Sequence, residues 1–172
     1  MLFRSTVYIL GSSRGDGETR LMVDEARTIL KGHFIDLNDY KIGYYDYSHQ
    51  YVDDDYYPLV SKLIEDYDTF IFATPIYWYS MSAVMKTFFD RFSDLLRIHK
   101  ETGRKLRGKK MALISCAYEE TMIEEFPMPF KRSANYLGIE FLGNVHGYVR
   151  NMKLPEEVKE DIRSFVKMIS DD

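Results

Sequence analysis

Five short strand-like runs, at 6–10, 33–37, 69–73, 110–116 and 139–147, alternate with segments of helical period, and this alternation constrains the fold more than any other feature. Parallel neighbours need a long crossover, so strands separated by helices build a parallel sheet covered on both faces. The spacing predicts helices over 19–31, 57–66, 82–97, 120–137 and 155–169. In the last of these, Pro155 with Glu156 and Glu157 forms a first-turn signature, and Val158, Ile162, Phe165, Val166 and Ile169 follow as one apolar stripe. Thr69–Ala73 and Met111–Cys116 are near-continuous apolar runs, as central strands buried on both faces should be. With 172 residues and no Pro/Ser-rich linker, the chain is expected to form a single domain over 1–172.

Between the first strand and the first helix lies Gly11-Ser12-Ser13-Arg14-Gly15-Asp16-Gly17-Glu18-Thr19. A strand, a loop of small residues and a helix N-terminus make an anion site. Backbone N–H groups, the helix dipole and the hydroxyls of Ser12, Ser13 and Thr19 converge there, and Arg14 adds charge. The loop lacks the Gly-Lys-Ser/Thr of a Walker loop, and Arg20 stands where a dinucleotide fingerprint needs its third glycine. A turn that surrounds one terminal phosphate fits better, which favours a mononucleotide.

After the third strand comes Thr74-Pro75-Ile76-Tyr77-Trp78-Tyr79-Ser80-Met81-Ser82. Pro75 is expected to end the strand, because its ring removes a ladder donor. Aromatic residues in a turn, where surface polarity is the rule, point to a flat apolar ligand or a partner surface rather than to packing. In a doubly wound sheet, ligands bind outside the carboxyl ends of the strands where the strand order reverses, so the two loops converge on one crevice.

With both loops in view, the chain resembles the NAD(P)H-dependent FMN reductase and quinone reductase group of the flavodoxin-like flavoproteins. The loop that holds the FMN phosphate in that group is matched by Gly11, Ser12, Arg14, Gly17 and Thr19. The loop that lines its isoalloxazine is matched by Pro75, Tyr77, Trp78 and Ser82, and the following Lys-x-Phe-x-Asp-Arg by Lys86, Phe88, Asp90 and Arg91. The resemblance implies an α/β, flavodoxin-like, doubly wound five-stranded parallel sheet in the order 2-1-3-4-5. It also implies FMN bound by Ser12, Arg14, Gly17, Glu18, Thr19, Pro75, Ile76, Tyr77, Trp78, Ser115 and Tyr118, the last two from the loop after the fourth strand. NADPH or NADH would be the donor and a quinone, nitro, azo or flavin compound the small-molecule acceptor. A homodimer or higher homo-oligomer is implied, with the aromatic loop near the two-fold axis. No catalytic side chain is expected, since flavin N5 carries the chemistry.

Glu18 departs from the family pattern, which often has Asn or Ser there, and is expected to act through its backbone N–H with the carboxylate turned away. A flavodoxin-type electron carrier is the alternative reading, although carriers that dock by charge are usually far more acidic than the net −4 here. A protein that has kept the fold and lost the flavin is the third.

Other chemistries find little support. There is no basic stripe for nucleic acid, and the run Arg104 to Lys110 is expected to be a solvated connection. No apolar run is long enough for a membrane span, no signal peptide is apparent, and the single Cys116 suits a reducing cytoplasm. The position six after Cys116 is Met122 rather than the Arg of a Cys-x5-Arg phosphatase, so Cys116 is expected to be a packed small hydrophobe. The four histidines show no metal-ligand spacing, and each is expected to be structural or solvated. Asp53, Asp54 and Asp55 are expected to lie in a solvated loop within a Tyr/Asp-rich segment, 40–57, without an assigned role.

Overall fold

A computed structural model describes residues 5–171. In chain order it runs β1 (Thr6–Leu10), α1 (Glu18–Ile29), β2 (His33–Asp36), a 3-10 turn (Leu37–Asp39), α2 (Tyr56–Asp66), β3 (Thr69–Tyr77), β4 (Ser80–Met81), α3 (Ala83–Asp90), α4 (Phe92–Arg97), α5 (Lys100–Arg104), β5 (Lys110–Cys116), α6 (Met128–Leu137), β6 (Glu140–Gly147) and α7 (Glu156–Asp171). The parallel sheet has the order β2-β1-β3-β5-β6, and the short β4 pairs antiparallel with the end of β3. Leaving out β4, this is the expected 2-1-3-4-5 order of a flavodoxin-like sheet.

Alternation along each strand divides the core into two layers. On one face Val7, Ile9, Phe70, Phe72, Met111 and Leu113 pack against α2, α3, α4 and α6. On the other, Tyr8, Leu10, Ile71, Ala73, Ala112 and Ile114 pack against α1 and α7. Both faces are therefore covered among the described residues, and the carboxyl ends of the strands are where such a sheet takes a ligand.

Three expectations are corrected, and one element is new. The third strand does not stop at Pro75 but runs on to Tyr77. Ala73 turns its carbonyl toward the Gly11 N–H at 2.9 Å, so Pro75, two residues on, faces the same side, beyond the end of β1, where no ladder donor is required. The helix expected over 82–97 is two helices, because Arg91 tightens the chain: its carbonyl accepts from the Asp94 N–H, three residues on, at 2.9 Å. The short α5 was not anticipated. The helix expected from 120 begins only at Met128, where Pro127 holds the N-cap and Pro129 stands in the first turn; residues before it form an irregular loop.

The aspartates of the Tyr/Asp-rich segment also need correction. Asp53 and Asp55 are exposed, but Asp54 is not a solvated residue: it accepts from Arg91 at 2.6 and 3.2 Å and from the backbone N–H groups of Gly43 and Tyr56. Arg91 is itself buried, with a side chain only 3% exposed. It reaches Asp94 at 2.6 Å and the carbonyls of Gly43 and Tyr51, and its guanidinium lies over the Tyr56 ring. A long connection rich in polar residues is thus fastened to the α3–α4 junction by one cation.

Candidate functional site

At the carboxyl end of the sheet, three loops enclose a cleft of about 320 Å³. The loop after β1 supplies Ser12, Arg14, Gly17, Glu18 and Thr19; the end of β3 supplies Pro75, Ile76 and Tyr77; the end of β5 supplies Cys116, Ala117, Tyr118 and Glu119. An adjoining recess of about 370 Å³ shares Ile76, Ala117 and Glu119 and adds Trp78, Tyr79, Thr121 and Ile123.

The first loop is built from beneath. Asp36, ending β2, accepts at 2.9 Å from both the backbone and the side-chain amide of Asn38, and that amide donates to the Ser12 carbonyl at 2.7 Å. A side chain at Gly15 would collide with the Asp36 carboxylate, so only glycine allows this close approach. Gly17 caps α1 without a side-chain hydrogen bond to the helix, which leaves the N–H groups of the first turn open toward the cleft. Arg14 makes no ion pair among the described residues and stands exposed beside that helix end. Open donors, a helix dipole and an unpaired cation suit an anion.

The second loop is a two-residue hairpin. Tyr77 pairs with Ser80, so Trp78 and Tyr79 form the turn, at φ 48° and 64°. Positive φ at both positions is the signature of a turn usually made by Asn-Gly, and bulky residues there hold strain. They are also 92% and 72% exposed. Packing cannot account for two strained, exposed aromatic residues, whereas presenting them at the mouth of the recess can.

Ser82 ties the first two loops together. Its hydroxyl donates to the Gly11 carbonyl at 2.7 Å and accepts from the Met85 N–H at 3.1 Å as the cap of α3, while its own N–H donates to the Thr74 hydroxyl at 3.1 Å. Thus the start of the first loop and the foot of the hairpin share one buried serine.

Of the residues expected at the cofactor, Ser12, Arg14, Gly17, Glu18, Thr19, Pro75, Ile76, Tyr77 and Tyr118 lie together in the cleft. Trp78 lies in the adjoining recess. Ser115 does not line either space: its hydroxyl is buried and bonded to His146 Nδ1 at 3.0 Å. Strand alternation gives the cleft Cys116 instead. Burial first, then the Glu18 charge, push the Cys116 thiol up to about 12, partly offset by the Thr19 hydroxyl, so it is a neutral thiol and not a nucleophile. Sequence reading missed Glu119, Thr121 and Ile123, the last two because residues from 120 were assigned to a helix; Pro127 and Pro129 were the signal against that assignment.

The comparisons with known proteins agree with this geometry. The model of a family described as NADPH-dependent FMN reductase matches residues 5–124. The chain is 29% identical over 149 residues, 81% of its length and 82% of the relative's, to YwqN of Bacillus subtilis (strain 168), assigned by its name to the NAD(P)H-dependent FMN-containing oxidoreductases. Among solved structures, the Trp repressor binding protein from Bacillus subtilis aligns with a TM-score of 0.76 at 21% identity, covering 96% of this chain and 97% of that one. An FMN-dependent NADH-azoreductase from Bacillus anthracis, solved with FMN, aligns with a TM-score of 0.66 at 14% identity, covering 98% of both. At such identities the structures establish the flavodoxin-like fold.

Proposed function

The chain belongs to the NADPH-dependent FMN reductase family, and from that premise we propose that it oxidises NADPH or NADH through FMN held in the three-loop cleft and passes the electrons to a quinone, nitro, azo or flavin acceptor. The residues fit that cofactor. The uncapped end of α1, with Ser12, Arg14 and Thr19, takes the phosphate; Pro75, Ile76, Tyr77, Ala117 and Tyr118 enclose the ring system. Glu18 contributes its N–H, and the charge of its carboxylate adds to burial in raising the Cys116 thiol. When bound, FMN supplies hydride acceptance and onward electron transfer, for which no side chain here is suited. The protein's own part is to bind, to orient and to keep the ring beside the recess at Trp78 and Tyr79 where donor and acceptor take turns.

The observation that carries this reading is the convergence of an open anion site and an apolar slot in one cleft. We further read residues 1–172 as one domain, acting in the cytoplasm as a homodimer or higher homo-oligomer; among the described residues no helix is long and apolar enough to cross a membrane. Steady-state NADPH oxidation by the FMN-loaded protein, with a quinone added, is the test. Turnover that depends on both substrates supports an enzyme, whereas bound flavin that NADPH and NADH fail to reduce would make the protein an electron carrier.

A further inference from the structure

The loop after β5 is held at two consecutive carbonyls by side chains from the neighbouring strand and its extension. His146 Nε2 donates to the Glu119 carbonyl at 3.0 Å, and Arg150 Nη1 donates to the Tyr118 carbonyl at 3.0 Å. A carbonyl only accepts, so His146 Nε2 carries a proton, and Nδ1 on the other side of the ring lies 3.0 Å from the Ser115 hydroxyl. Arg150 also reaches the Glu120 carboxylate at 3.3 Å, and its guanidinium lies 4.9 Å from the centre of the Tyr118 ring. Arg150 is therefore engaged with Glu120.

Glu119 is left with a fixed backbone and a carboxylate that makes no ion pair among the described residues. It lines both the cleft and the adjoining recess, which places it at their junction. No other charged residue lines the recess; the remainder are Ile76, Trp78, Tyr79, Ala117, Thr121 and Ile123. The cation that lines the cleft, Arg14, comes from the loop after β1, and Arg150 is held by Glu120 and the Tyr118 carbonyl. A flat ring entering the recess thus meets aromatic side chains, whose π-faces are negative, and one carboxylate.

Resting on the function proposed above, we propose that Glu119 makes the acceptor side of this site select flat aromatic acceptors that are neutral or cationic and disfavour anionic ones. The physical basis is twofold: an unpaired carboxylate repels a like charge, and aromatic faces attract cations. Because Glu119 is exposed, screening limits the effect and makes it depend on salt.

The test uses the FMN-loaded protein and redox-inert naphthalenes carrying either a trimethylammonium or a sulfonate group, with binding read from the perturbed flavin absorbance. At low salt the sulfonate should bind about three- to tenfold more weakly than the cation, and the gap should narrow as salt is raised. In Glu119→Gln it should shrink to less than about twofold. The kcat/KM values of a quinone series with neutral, cationic and anionic substituents should follow the same order and lose it in the variant. Equal binding of both charges in the wild type, or a preference that survives in Glu119→Gln, overturns the inference while leaving a working FMN reductase in place. A protein that binds no FMN, or whose flavin NADPH and NADH leave oxidised, overturns the functional reading and this inference together.

Discussion

Replacing Ser82 by Ala should weaken the fold and the phosphate loop together, because one hydroxyl serves both. The substitution removes the α3 cap and leaves the Gly11 carbonyl without its partner in a site where both residues are buried. Loss of a Ser cap costs about 1 kcal/mol, and an unpaired buried carbonyl costs about 1–3 kcal/mol. The expected loss is therefore roughly 2–4 kcal/mol. Urea unfolding of the FMN-free protein measures it, with an unchanged m-value showing that the same surface is exposed. Since Gly11 opens the loop from Ser12 to Thr19, FMN should also bind at least about tenfold more weakly, equivalent to ~1.4 kcal/mol. A loss below about 1 kcal/mol would show that the cap and the buried bond carry less than their usual value. Unchanged FMN affinity in a destabilised variant would show that Ser82 supports α3 and not the site.

Arg91→Met should leave Asp54 and Asp94 as uncompensated buried carboxylates and cost about 3–5 kcal/mol in urea unfolding; a loss near zero would mean that water reaches them. Burial alone would raise the Asp54 carboxyl, but hydrogen bonds from Arg91, Gly43 and Tyr56 outweigh it and hold it below its ordinary range. A lowered folded value stabilises fully above the unfolded pKa of about 3.9 and is lost as pH falls through the folded value, so unfolding midpoints should drop on acidification below that point, and less so in Arg91→Met. Changing Trp78 to Asn and Tyr79 to Gly together should leave stability within about 1 kcal/mol of wild type, because strain is relieved as exposed contact is lost. The same change should raise KM for aromatic acceptors; a loss above about 2 kcal/mol would show the aromatic pair to be structural.

The strands and both ligand loops were legible in the sequence because each rests on local chemistry, apolar runs for buried strands and small residues before a helix for an anion site, whereas the strand order was implied by the family resemblance. Pro75 misled, since whether a strand tolerates proline depends on which side has a neighbour, and that is a tertiary fact. Asp54 misled for a related reason. An aspartate in a Tyr/Asp-rich loop reads as solvated, and its ion pair becomes apparent only when Arg91, distant in sequence, is seen to face it. The loop after β5 was hidden by apolar residues at 122, 123 and 126, which mimic helical spacing, although Met122 instead packs against the core and Phe126 belongs to it. Glu119 could not have been singled out from sequence, because its place between two cavities is fixed by His146 and Arg150, more than twenty residues away.

The central claim, that the three-loop cleft binds FMN and holds it through the phosphate, is tested most directly by titrating the protein with FMN and with riboflavin and following the quenching of flavin fluorescence. One FMN per chain should bind, and riboflavin, which lacks only the phosphate, should bind at least about tenfold more weakly, since charge-assisted hydrogen bonds contribute about 1.5–3 kcal/mol. Equal affinity for the two flavins, or no quenching by either, would contradict it.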